Sequence, residues 1–281
     1  MSEKHQVILA KSLGVCGGVS HALKLFDEAA ASLRPGEHIY ILHELVHNRC
    51  VTASMEARGA VFINVPEELP QGACVLIGAH GATLEEVSCL RERASRIIDT
   101  TCPIVSRLQE AVAALAPDEN LLVHGQPDHQ EIRGMLSRAP STAWTFLPDA
   151  ASIDALPPLA APVLLCQTTL NYRENQALFE KLRQRFPGCR RLGETCRASQ
   201  ERQQAVEELV TECDALVVIG SPHSANARRL LELGRQAGLP SWLIDTPEQL
   251  PAEISNCRRI GVTAAASTTP DLIQRVVDAL Q

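Results

Sequence analysis

The chain has 281 residues, 45% of them hydrophobic, and a formal net charge of −7. That length and apolar content suffice for a sizeable core in one large domain or two to three small ones, and the acidic balance excludes a basic field able to wrap nucleic acid or anionic lipid. No apolar run reaches the roughly 20 residues of a membrane span, and the start MSEKHQVILAKS carries no signal-peptide core, so a cytoplasmic protein with no nucleic-acid or membrane partner is expected.

Short β-branched and leucine-rich runs alternate with longer amphipathic stretches. The strand QVILA leads to a helix over SHALKLFDEAAASL, after which HIYIL, VFINV and CVLIG read as strands and TLEEVSCLRERA as a helix. RIIDT precedes a helix over VSRLQEAVAALA, and NLLVHG and VLLCQ are strands on either side of a Pro-rich connector, LPDAASIDALPPLAAP, that reads as loop. Helices over RENQALFEKLRQRF and SQERQQAVEELVTE lead to the strand ALVVIG; the helix SANARRLLELGRQAG, the strands SWLID and RIGVTA and the helix PDLIQRVVDAL complete the order. A parallel sheet with crossover helices imposes this alternation, and the expected class is α/β.

The chain holds 10 cysteines without a CxxC pair, which argues against a zinc ribbon or a thioredoxin-type site. Cys74 and Cys166 lie in apolar strand runs, and Cys50, Cys89, Cys189, Cys213 and Cys257 have no metal-like neighbours, so these seven are assigned to packing or surface. Cys16, Cys102 and Cys196 differ: each directly precedes an amphipathic helix, in VCGGVSHALKLF, TCPIVSRLQEAV and TCRASQERQQAV, at intervals of roughly ninety residues. A helix N-terminus stabilises thiolate and favours metal ligation. Three thiolates leave one iron of a 4Fe-4S cluster open, a count suited to Lewis-acid activation with electron delivery; zinc with three cysteines and water is the competing metal.

His47 in HELVHN, His80 in AHGA and His129 in PDHQE each follow a predicted strand, where open α/β sheets place their ligands. Ser224, Asn226 and Ser267 stand in SPHSANARRL and AAASTTPD at helix starts, as phosphate binders or as plain helix caps. Glu131 follows His129 on an apparent loop and is a candidate proton carrier, while Thr168 and Thr169, ending VLLCQTT, are candidates to orient a substrate hydroxyl. No Gly-x-Gly-x-x-Gly turn follows the first strand, so a Rossmann dinucleotide site is not expected.

Taken in order, GVCGGV, HELVHN, AHGA, DTTCP, HQE, CQTTL, ETCRASQERQ, GSPHSANARRL and VTAAAST resemble the hydroxymethylbutenyl diphosphate reductase (LytB) family over nearly the whole chain. The resemblance implies a trefoil of three α/β units, with mostly parallel sheets, around a central 4Fe-4S cluster bound by Cys16, Cys102 and Cys196. The units would span 1–100, 101–193 and 194–281. It implies the last step of the non-mevalonate isoprenoid pathway, in which 4-hydroxy-3-methylbut-2-enyl diphosphate loses its hydroxyl, takes two electrons and one or more protons, and yields isopentenyl and dimethylallyl diphosphates. A small carrier, ferredoxin or flavodoxin, would supply the electrons. By position, His47, His80 and His129 match the family's diphosphate-pocket histidines, Ser224, Asn226 and Ser267 its diphosphate-binding polar residues, Glu131 its proton-delivery glutamate, and Thr168 the threonine beside the substrate hydroxyl.

The sequence also departs from the family pattern. Ser12, Leu13, Gly14 and Val15 replace a Pro-Arg-Gly-Phe approach to the first cysteine, and Gly17 follows it where alanine is usual. His-Pro-Glu is His129, Gln130, Glu131; Ser-Ser-Asn is Ser224, Ala225, Asn226; and the last loop, residues 265–270, has an extra residue before Pro270. Two other readings stand beside the reductase: a divergent paralogue reducing another allylic or phosphorylated substrate, which Ala225 and the last loop favour, and a non-catalytic cluster sensor, which would have no evident use for Glu131.

Overall fold

The computed structural model describes residues 5–140 and 144–281; residues 1–4 of the leading segment lie outside it. In chain order the elements are β1 (Gln6–Leu9), α1 (Gly17–Ala30), β2 (Ile39–Leu42), α2 (Arg49–Glu56), β3 (Ala60–Ile63), β4 (Cys74–Ile77), α3 (Leu84–Arg93), β5 (Arg96–Asp99) and α4 (Pro103–Ala113). Then come β6 (Asn120–His124), α5 (Gln130–Leu136), β7 (Trp144–Phe146), β8 (Pro162–Cys166), α6 (Tyr172–Arg185), β9 (Arg190–Arg191) and α7 (Arg197–Leu209). The chain ends with β10 (Ala215–Ile219), α8 (Ala225–Gln236), β11 (Ser241–Ile244), β12 (Arg259–Ala264) and α9 (Pro270–Leu280).

These strands form three four-stranded sheets, ordered β3-β2-β4-β5, β7-β6-β8-β9 and β1-β12-β10-β11, and the pairings among the described residues are all parallel. The expected α/β class with three sheets is what the chain adopts. Each sheet repeats one winding: an inner strand, an outer strand, the other inner strand, then the far outer strand. In the third sheet that fourth position is filled by β1, from the start of the chain, paired to β12 in the register Gln6 to Arg259. A cysteine and a helix follow the fourth strand every time: Cys102 and α4 after β5, Cys196 and α7 after β9, Cys16 and α1 after β1. The threefold cysteine spacing in the sequence is therefore the repeat of this winding.

Two-residue periodicity sorts the strand side chains onto two covered faces, as buried parallel sheets require. In the second sheet Leu121, Val123, Val163 and Leu165 pack with Val105 and Leu108 of α4 and Ile132 and Met135 of α5, while Leu122, Leu164 and Cys166 face Leu178 and Leu182 of α6. In the third, Val217, Ile219, Ile260 and Val262 meet Leu272 and Val276 of α9, and Leu216 and Val218 meet Val206 of α7 and Leu230 of α8. Burial of each such leucine or valine contributes roughly 1.5–3 kcal/mol.

The chain divides into two compact bodies. One, comprising Met1–Ser20, Val46–Ala57 and Arg197–Gln281, holds the third sheet; the other, comprising His21–Leu45 and Arg58–Cys196, holds the first and second. Among the described residues no helix is long and apolar enough to cross a membrane.

Elements that the sequence reading did not assign are short or lack a period. β7 and β9 have three and two residues. In α2, RCVTASME is rich in weak helix formers and is started by Asn48, whose side chain accepts from the Cys50 and Val51 amides. The stretch containing Glu131 is a correction: it is not a loop but the first turn of α5, a seven-residue helix that contains Gly134. A side chain at 134 would meet Gln109 Nε2 at 3.0 Å and the Ala82 carbonyl at 3.3 Å, so close packing explains the glycine.

Candidate active site

In open α/β sheets, side chains at the carboxyl ends of the inner strands lie where the strand order reverses, the usual place for ligands. In the body that holds the first two sheets, His80 follows β4, His129 and Glu131 follow β6, and Thr168 follows β8, all inner strands.

His129 is the N-cap of α5, its Nδ1 accepting the Glu131 amide at 3.2 Å. That bond needs an unprotonated Nδ1, so in the neutral ring the proton sits on Nε2. The His80 ring lies edge-on, 5.2 Å from that of His129. Its loop admits little else: Gly81 has φ +80°, a side chain there would be 2.6 Å from Gln109 Nε2, and one at Gly78 would be 2.7 Å from the Glu44 carbonyl.

Glu131 is 1% exposed. Burial pushes its carboxyl upward, while the Thr168 amide, 2.7 Å from Oε1, and the Thr168 hydroxyl, 2.9 Å from Oε2, pull it back, leaving it at about 7. A carboxyl poised near neutrality is what general-acid catalysis requires. Thr168 also accepts the Cys196 amide on its carbonyl at 2.9 Å, so one strand end holds both the acid and the peptide of a thiol-bearing residue. Thr169 has a different partner, the Gln167 amide at 3.1 Å.

Cys102 is the N-cap of α4 with Pro103 at the first helical position, and its side chain makes no capping bond. Its amide donates to Ala79 next to His80 at 2.9 Å, and Asp99 closes the preceding turn by accepting from the Thr101 amide at 2.9 Å. Cys196 precedes α7 beside Thr195, whose hydroxyl donates to Leu170 at 3.0 Å and accepts from Asn175 at 2.8 Å.

The other body carries the remaining candidates. Cys16 donates its amide to Ala266 at 3.1 Å, and its Sγ accepts the Val19 amide at 3.5 Å. Gly14, at φ +77° with the Thr268 carbonyl 3.2 Å from where a Cβ would sit, sets that approach. Ser224 caps α8 through the Ala227 amide at 3.3 Å. Asn226 is 4% exposed, and neither atom of its amide has a hydrogen-bond partner among the described residues. Ser267 donates to the His47 carbonyl at 3.3 Å and accepts from Asn48 at 2.9 Å, which draws His47 and Ser267 together. The apparent extra residue has a local use: Thr268 bonds the Ile219 carbonyl at 2.9 Å and Thr269 caps α9. Asn48, not singled out in the sequence, had a readable signal as a helix-capping asparagine within HELVHN.

None of the 10 cysteines is in a disulfide, and Cys16, Cys102 and Cys196 are half-buried. Elsewhere burial pushes the thiols of Cys74, Cys189, Cys213 and Cys257 up, and that of Cys166 to about 12, which suits them to packing and not to ligation.

Parallel sheets ending in histidines, a near-neutral buried acid and thiols at helix starts define an α/β protein equipped for acid chemistry at its strand ends. The family model described as LytB protein matches residues 7–281, and the chain belongs to that family. It is 33% identical over 282 residues to a Ralstonia nicotianae protein named 4-hydroxy-3-methylbut-2-enyl diphosphate reductase, covering 98% of this chain and 86% of that one. A Nitrosomonas europaea protein of the same name is 35% identical over 284 residues, covering 98% and 87%. The solved E-1-hydroxy-2-methyl-but-2-enyl-4-diphosphate reductase of Plasmodium falciparum matches with a TM-score of 0.90 at 29% identity, over 98% of this chain and 87% of that one.

Proposed function

We infer that the chain is an oxidoreductase of isoprenoid biosynthesis that converts 4-hydroxy-3-methylbut-2-enyl diphosphate to isopentenyl and dimethylallyl diphosphates, the closing step of the non-mevalonate pathway. The substrate gains two electrons and two protons in all, and its hydroxyl leaves as water. Family membership and the names of the relatives support this substrate. Within the molecule the observation that carries it is Glu131, a buried carboxyl at about 7 clasped by Thr168. A sensor has no need of such an acid, and no relative described above points to another substrate.

The donor set fits an iron-sulfur group: Cys16, Cys102 and Cys196 are in no disulfide, half-buried, and each at a helix start that favours thiolate. They are the proposed ligands of a 4Fe-4S cluster, which when bound would supply electrons and a Lewis-acidic iron. Glu131 holds the proton on its carboxyl and delivers it toward the substrate, and Thr168 orients the substrate hydroxyl while keeping Glu131 in place. His80 and His129 in one body, and His47, Ser224, Asn226 and Ser267 in the other, are proposed to donate to diphosphate oxygens. A small carrier such as ferredoxin or flavodoxin is the proposed electron donor.

The unpartnered amide of Asn226 gives a separable prediction. A buried polar group left unsatisfied costs about 1–3 kcal/mol, so Asn226→Ala should melt no lower than the parent. KM for the substrate should rise about tenfold, the worth of one hydrogen bond to a charged group. A lower melting temperature with an unchanged KM would make Asn226 a structural residue.

The function itself is tested by anaerobic purification, iron and sulfide analysis, and a reductant-driven assay that follows loss of the hydroxylated diphosphate and appearance of the two five-carbon products. About four irons per chain with turnover is the expected result. A full cluster without turnover would reject the substrate, and a chain that takes up no iron would reject the cofactor.

A further inference from the structure

Glu86 stands in the first turn of α3, where it closes a capping box: the Thr83 amide donates to Oε2 at 2.7 Å and the Glu86 amide to Thr83 Oγ1 at 3.1 Å. Its carboxylate also reaches beyond the helix. His43 Nε2 lies 3.0 Å from Oε1, Gln130 Nε2 donates to Oε2 at 2.9 Å, and an Arg133 nitrogen is 3.9 Å from Oε1. Burial pushes the Glu86 carboxyl up, but the His43 bond, the Thr83 amide, the charge of His43 and the Gln130 amide outweigh it and hold the group at about 2. Glu86 is thus a fixed anion at any working pH. His43 reaches it from a backbone φ of +60°, a region that residues other than glycine rarely adopt, held there partly by its amide bond to Ile63 at 2.8 Å.

Gln130 is the first residue of α5, between His129 and Glu131. The same Nε2 that rests on Glu86 also reaches the Gly81 carbonyl at 3.3 Å, adjacent to His80. A second tie from this helix region runs from Arg138 Nη1 to the Ala82 carbonyl at 2.9 Å. All of these residues lie in one compact body.

We propose that Gln130 is a positioning residue of the reductase, whose amide, seated on Glu86, locks the His80 loop to the helix start that carries His129 and Glu131. The assignment rests on the function proposed above. Its physical basis is that one amide group serves two acceptors on separate elements, one of them a permanent anion, and charge-assisted bonds are the strong ones. The spacing of the two histidine side chains is then set by a side chain bonded to the Gly81 carbonyl and the Glu86 carboxylate.

Three substitutions separate this role from ordinary helix stability. Gln130→Ala removes both bonds. Gln130→Pro suits the backbone, because proline is favoured at the first helical position and His129, at ψ 132°, already occupies the region a following proline demands; it preserves the helix start and severs the link to the loop. Gln130→Glu sets a second carboxylate against Glu86 and the Gly81 carbonyl.

The experiment pairs calorimetric binding of inorganic pyrophosphate to the metal-free chain with steady-state kinetics of the anaerobically loaded enzyme. Gln130→Ala should weaken pyrophosphate and raise KM about tenfold, the scale of one charge-assisted hydrogen bond. Gln130→Pro should raise KM similarly with kcat within about twofold of the parent, and Gln130→Glu should bind more weakly than Gln130→Ala. A parent chain that neither binds pyrophosphate nor turns over would overturn the proposed function, and the clamp with it. A competent parent whose alanine and glutamate variants bind equally well would overturn the clamp alone, as would variants that lose melting temperature and kcat with KM unchanged.

Discussion

Glu131→Gln is expected to lower kcat by at least about 100-fold, the low end of what a positioned general acid supplies, with iron and sulfide content unchanged. The substitution is nearly isosteric. The carbonyl of the introduced carboxamide can accept the Thr168 amide in place of Oε1, and its NH2 can donate to the Thr168 hydroxyl, which turns to accept. What disappears is the transferable proton. With the carboxyl at about 7, the protonated fraction of the parent falls tenfold per pH unit above neutrality, so its kcat should fall with that slope while the residual rate of the variant stays flat. A variant with full turnover, or a parent whose kcat is level from pH 6 to about 9, would remove Glu131 from proton delivery.

The same group makes a stability prediction of definite sign. A carboxyl raised in the fold from 4.5 to about 7 contributes its full stability below pH 4.5 and loses it as pH climbs through about 7, because only the unfolded chain ionises readily in that window. The loss is on the order of 3 kcal/mol. Glu131→Gln does not titrate, so the metal-free variant should gain on the metal-free parent between pH 5 and pH 8 in denaturant melts. A difference in stability that does not move with pH would mean that the carboxyl is not buried as described. Wild-type stability at alkaline pH is lower, on this account, because the acid is kept dry.

Cys102→Ser should purify with little iron or sulfide, and without activity. The serine side chain is a hard, poorly ionised donor where a thiolate is required, and the backbone that presents it, tied to Ala79 and closed by Asp99 and Thr101, should be unaffected. Cys89→Ser is the matched control: this thiol lies beside Glu67, whose charge adds to desolvation in holding it protonated. Iron content unchanged in Cys102→Ser, or lost equally in Cys89→Ser, would take Cys102 out of the ligand set.

Much of the architecture was legible because a parallel sheet leaves a strong trace. Runs such as ALVVIG and VLLCQ are apolar throughout, since both faces are covered, and the helix after each has a clear apolar stripe. The cysteines before helices were visible as a repeat for the same reason, although the winding behind it was not. That β1 completes the third sheet follows from a pairing 253 residues apart in register, Gln6 with Arg259, which no local pattern carries. The candidate residues were legible as a set at strand ends and helix starts. The helix under Glu131 was hidden by its length and by Gly134, whose role is a close approach to Gln109 and Ala82. Burial of Glu131, its clasp by Thr168 and the seat of Gln130 on Glu86 depend on tertiary contacts between residues 37 and 44 positions apart.

The borrowing of β1 by the third sheet also sets an order of assembly on the ribosome. At synthesis rates of about 5–20 residues per second, β1 waits on the order of 10–50 s for β12 to be made, its ladder groups meanwhile satisfied by water. The body spanning His21–Leu45 and Arg58–Cys196 has its full sequence well before then, so the first and second sheets can close while the third is still incomplete. The peptide of Cys16 is fixed by Ala266, made about 250 residues after it. Cys102 and Cys196, tied to Ala79 and Thr168, reach their settings earlier.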